Sequence, residues 1–149
     1  MTLRWILASL HLFALGLGLG AAYARSRALR GTLDDAGLSR VFLADLWWGI
    51  AGVLWIATGL VRAFTGIEKG AEFYLGTGLF HAKLGLVAVI VLLETWPMIT
   101  LMRWRAQRRG GGTVDTSESR AIARISHAQA GIVVIIVFLA TAIARGMWR

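Results

Sequence analysis

The stretch that most constrains this chain lies near its start. Trp5 to Ala24 runs without a formal charge, about the 20 residues an α-helix needs to cross ~30 Å of hydrocarbon. Similar stretches follow: Val41 to Val61 holds one acid, Asp45; Phe80 to Met102 holds Lys83, Glu94 and Pro97; Ile125 to Ala144 is interrupted only by His127. Strand alternation is nowhere sustained, and an open sheet would leave backbone groups unpaired in lipid. The expectation is an all-α, integral membrane four-helix bundle with spans near 3–24, 41–63, 80–102 and 121–145. Composition agrees, since 57% hydrophobic and 16% charged residues, with a mean hydropathy of +0.66, exclude an ordinary water-soluble domain. The 149 residues suffice for one transmembrane domain and not for a second folded body beside it. With no cysteine, disulfides, thiolate metal sites, iron–sulfur clusters and covalent haem attachment are excluded.

The net charge of +8 sits mostly in the connections rather than on a soluble face, which argues for anionic lipid headgroups and against nucleic acid. Arg25, Arg27, Arg30 and Arg40 mark residues 25–40 as one basic loop, and Arg103, Arg105, Arg108, Arg109, Arg120 and Arg124 mark 103–124 as another. The positive-inside rule makes both cytoplasmic, leaving the termini and the connection between the second and third spans on the outer, periplasmic side of a bacterial inner membrane. The first span is too long and too weakly basic at its leader to read as a cleaved signal peptide. Trp5, Trp148, Trp47, Trp48, Trp96 and Trp104 suit an aromatic belt. Gly110 to Gly112 reads as a flexible break, and Asp115 to Glu118 as a capping box that starts the fourth helix.

Lipid offers no hydrogen bonds, so every ionisable group within a span asks for an internal partner. His11 shares a face of the first helix with Ala8, Ala14, Gly18 and Ala22, a small-residue stripe that could take a flat macrocycle or a neighbouring helix. His81 and Lys83 point about 200° apart and cannot face the same partner, so the choice between them stays open. Asp45 lies in line with Gly49, Gly52 and Gly59 and is expected to turn into the bundle as a structural clamp, with His127, Arg124, Trp47 or Trp96 as partner. Glu94 precedes Pro97, which should kink the third helix; its carboxyl is read as structural, with a proton path as the alternative. Arg62 and Lys69, with Glu68, Glu72 and Tyr74, form an interfacial group able to anchor acidic substituents such as haem propionates.

Several motifs together resemble a known family. Ala44-Asp45-Leu46, Gly59-Leu60-Val61-Arg62, Glu68 through Tyr74, Phe80-His81-Ala82-Lys83-Leu84-Gly85-Leu86, Arg103-Trp104-Arg105 and Ala144-Arg145-Gly146 are similar to the bacterial four-helix membrane proteins of the domain-of-unknown-function 2214 family. That resemblance covers nearly the whole chain and implies its fold and membrane location. A fainter similarity, a histidine in the first helix and the His-Ala-Lys-Leu-Gly start of a later one, is to the HemJ-type protoporphyrinogen oxidases, although their Asn-Glu-Pro type ending is missing. It implies haem b held by His11, with Lys83 and its neighbour His81 at the second position.

The leading expectation is therefore a haem-b-binding membrane protein with an electron-transfer or oxidoreductase-associated role. Its cofactor site would comprise His11, His81, Lys83, Arg62, Lys69, Ala14 and Gly18, with His11 and His81 as metal ligands and a quinone or other membrane subunits as partners. The alternatives are a cofactor-free structural subunit packing through its glycine stripes and a small proton-coupled transporter using Asp45 and Glu94.

Overall fold

The structure, a computed structural model, describes residues 2–65, 72, 75–76 and 78–147. Helix α1 spans Thr2–Arg30, α2 Asp35–Phe64, α3 Gly78–Arg109 and α4 Ser119–Ala144, each long and apolar enough to cross a membrane. The described residues contain no strand.

The helices outrun the apolar stretches that announced them. Hydropathy marks where lipid is, whereas arginine propagates a helix nearly as well as leucine, so α1 carries on through Arg25, Arg27 and Arg30. The expected basic loop 25–40 shrinks to a bend at residues 31–34. There Asp34 caps α2 by accepting the Gly37 N–H at 2.7 Å. A side chain at Gly37 would collide with the Thr32 carbonyl, so the tight turn requires glycine.

The glycine run after α3 is a helix stop rather than a flexible break. Gly111 takes φ 72°, its N–H bonds the Arg108 carbonyl and that of Gly112 bonds Gln107, the paired bonds of a Schellman motif. Gly146, φ 69°, ends α4 in the same way. The capping box is corrected too: Asp115 accepts the Ser117 N–H at 3.1 Å in a turn ahead of α4, and Glu118 at the N-cap makes no side-chain capping bond. Pro97 is buried inside α3, which continues through it to Arg109.

Helix α1 lies along α2 and α4, and α3 lies along α4. Gly18 allows the first contact, since a Cβ there would already touch Ala51 at 3.5 Å and the Trp48 ring at 3.7 Å. Between α2 and α3 the described residues form no comparable seam. Leu38, Val41, Leu101, Trp104, Ile122 and Ala123 fill the basic end. A middle layer surrounds Trp48, Trp55 and Ile136, and at the opposite end, which holds His11, the buried cluster among the described residues is Ala63, Phe80 and Ile143. Trp48 and Trp104 are thus core residues, not belt residues.

Candidate functional site

The sequence placed Arg25 in a loop. In the structure it is fully buried, and its guanidinium is where all four helices converge. Nε donates to Ser126 Oγ at 2.9 Å; Nη1 donates to Asp45 Oδ1 and Glu94 Oε1, both at 2.7 Å; Nη2 donates to Glu94 Oε2 at 2.7 Å and Gln129 Oε1 at 2.9 Å. A guanidinium has five N–H donors, and each has an acceptor here. The Trp48 ring lies beneath it, 5.6 Å from Cζ to the centroid.

The acceptors are secured in turn. Arg105 Nη2 donates to Asp45 Oδ2 at 2.6 Å, and Gln129 Nε2 donates to Glu94 Oε2 at 2.9 Å and to the Ile90 carbonyl at 3.2 Å. The Ser126 hydroxyl donates in turn to the Ile122 carbonyl at 2.9 Å. Two arginines and two carboxylates cancel in charge, the condition under which such a group is tolerated away from water. The expected partners of Asp45 are corrected accordingly: His127, Arg124, Trp47 and Trp96 are all exposed, and Arg25 and Arg105 take the role.

The network closes one end of a groove of about 330 Å³ between α2 and α3. Trp48, Trp55, Val87, Ile90 and Met98 line its apolar walls, with Gly49 and Gly52 on the α2 side. Nothing lies within 4 Å of a Cβ built at Gly49 or Gly52, so within the chain these glycines open into the groove. The Asp45 and Glu94 side chains retain 12% and 20% exposure while Arg25 retains none, so the polar end meets the groove with carboxylate edges.

At the other end His11 is buried. Thr58 Oγ1 donates to the Leu54 carbonyl at 2.7 Å, which leaves its lone pairs for His11 Nδ1–H at 2.9 Å. The imidazole stacks on Trp55, 5.7 Å between centroids and 22° between planes, and a Cβ at Gly59 would sit 3.1 Å from its Cε1. His11, Arg62 and Lys83 line one cavity of about 340 Å³. His81 is exposed, edge-on to Phe80, and does not line it. Ala14 and Gly18 lie away from that cavity, in the contact of α1 with α2 and on the floor of the groove. Lys69, Glu68 and Tyr74 lie outside the described residues. Among the described residues no group of three or more histidine or acidic side chains could hold a metal ion. The Trp55 Nε1–H is buried without a hydrogen-bond partner among them.

A signal for Arg25 was present in the sequence. His11, Ala14, Gly18, Ala22 and Arg25 follow one another at intervals of three and four, so Arg25 continues the stripe that packs on α2. Ser126 and Gln129, three apart, mark the matching face of α4.

The chain belongs to the family described as predicted membrane protein DUF2214, whose model matches residues 3–147. Searches of curated proteins and of solved structures found no match, so neither adds support to the HemJ-type similarity.

Proposed function

We propose that this DUF2214 protein holds a lipid-soluble hydroxyaromatic ligand of the quinol class in the α2–α3 groove, as a binding subunit associated with membrane electron transfer. The observation that carries this reading is the polarity of the groove's closed end. Arg25 and Gln129 have spent their N–H donors inside the network, whereas Asp45 and Glu94 present partly exposed oxygens to the groove. A carboxylate offers about four acceptor sites, of which Asp45 uses two and Glu94 three. The complementary head donates hydrogen bonds, carries no charge and is flat enough to lie between Trp48 and Met98; its tail follows the apolar walls out toward lipid. A hydroquinone meets those terms and the corresponding quinone, which only accepts, does not.

Titration of the detergent-solubilised protein with a short-chain alkyl hydroquinone and its quinone tests this. The hydroquinone should bind at least about tenfold more tightly, the value of one hydrogen bond to a buried charged acceptor. Gly52→Leu should abolish binding without unfolding the bundle, since its side chain enters the groove and meets no neighbouring helix. Equal affinity for the two forms, or full binding by Gly52→Leu, overturns the reading.

A second reading puts haem b in the cavity that His11, Lys83 and Arg62 share. In its favour, the Nδ1–H bond to Thr58 orients the imidazole as outer partners commonly orient a ligating histidine. A Soret band in gently extracted protein, lost on His11→Ala, would establish it, and gently extracted protein without that band would dispose of it.

A further inference from the structure

We infer a second binding site, for an anionic phospholipid, in the groove between α1 and α2 at the basic end. This groove, of about 850 Å³, is lined by different residues of α1 and α2 from the one described above. Its α1 wall is Gly16, Gly20, Ala24 and Arg27, spaced by fours and a three so that they share one face; its α2 wall is Arg40, Leu43 and Trp47, again on one face. The built Cβ of Gly16 or Gly20 meets nothing within 4 Å, so the channel between the helices is open along these residues.

Charge identifies the occupant. Four arginines near this end are engaged by acids: Arg25 and Arg105 by Asp45 and Glu94, Arg108 by Asp35 at 2.7 Å, Arg103 by Glu118 at 4.0 Å. Asp34, the acid nearest the bend, caps α2. Arg27 and Arg40 have no acidic partner among the described residues, and they stand on opposite walls at the same end of one apolar channel. Two uncompensated guanidiniums suit a phosphodiester, which offers each of them an oxygen. Length agrees as well. Gly16 to Arg27 rises about 17 Å along α1, roughly half of a ~30 Å hydrocarbon core and so the reach of an acyl chain within one leaflet. Phosphate between the arginines and one chain laid over Gly20 and Gly16 fills the groove and leaves the second chain in the bilayer.

The test is thermal unfolding of the full chain in a neutral detergent, titrated with phosphatidylglycerol, with phosphatidylcholine, or with inorganic phosphate. Phosphatidylglycerol alone should raise the midpoint. Arg27→Gln with Arg40→Gln should weaken its apparent affinity by about 30-fold, from the typical contribution of two basic residues at an anionic surface. Arg109→Gln with Arg120→Gln removes the same charge away from the groove and should leave the response intact. Gly20→Leu should abolish it while the protein stays folded. The inference fails if phosphatidylcholine or free phosphate acts equally well, if both arginine pairs weaken the response alike, or if Gly20→Leu responds as the wild type does.

Discussion

The two ends of the bundle solve the problem of a polar group in lipid in different ways. At the basic end, Arg25 draws acceptors from each of the other three helices and all of its donors are used. At the other end, His11 bonds the Thr58 hydroxyl and stacks on the Trp55 indole, both from α2. One arrangement ties the bundle together; the other orients a ring between two neighbouring helices. Among the described residues the buried apolar cluster around Trp104 at the basic end is larger than the one at Phe80. Lipid is as apolar as leucine, so burial alone does little to hold helices together, and the network is expected to contribute most to specifying which helix sits where.

The contrast is tested most severely by Arg25→Leu, which strands Asp45 and Glu94 with only Arg105 and Gln129 to answer them. Removing one partner of a buried ion pair typically costs about 3–5 kcal/mol, and here the loss should appear as a large fall in the unfolding midpoint in detergent. Glu94→Gln keeps the shape and halves the charge facing Arg25; about 1–3 kcal/mol is expected, read in the same assay. Thr58→Val at the other end removes the bond from Thr58 to His11. Hydrogen bonds between transmembrane helices average about 0.6 kcal/mol, so this change should be small, and a cost matching that of Arg25→Leu would erase the distinction between the ends.

The smallest effect belongs to the connection before α4. The Ser117 backbone N–H and hydroxyl hold the Asp115 carboxyl below the ordinary aspartate range. A depressed folded-state pKa stabilises above the unfolded value and loses that contribution as pH falls through the folded one. Wild type should therefore exceed Asp115→Ala slightly at neutral pH, and the two unfolding curves should converge in acid, below the ~3.9 of a free aspartate.

The sequence displayed the number of helices and their membrane character because charge-free runs of about 20 residues have few other uses. It showed His11, Asp45 and Glu94 as groups in need of partners, and it turned Asp45 toward the right end. The partner of both acids was hidden by a boundary convention: the first arginine after Ala24 was taken as the end of the span, although helix and stripe both continue through it. Gln129 and Ser126 escaped notice because neutral polar residues within an apolar helix carry no charge to draw attention, and only the position of Arg25 gives them a purpose. The glycines of α2 were read as contacts, and Gly59 is one; Gly49 and Gly52 lie instead where α2 and α3 fail to meet. Sequence periodicity shows that residues share a face, but not whether another helix covers that face.

A double-mutant cycle at Arg25 and Glu94 probes the buried network directly. Arg25→Leu, Glu94→Leu and the pair, each unfolded in the same detergent, should show a coupling of about 2–3 kcal/mol, with the double variant more stable than the sum of the single losses predicts. Additive losses would mean that the two side chains do not meet, and neither the four-helix clamp nor the acceptor-lined groove would survive that result.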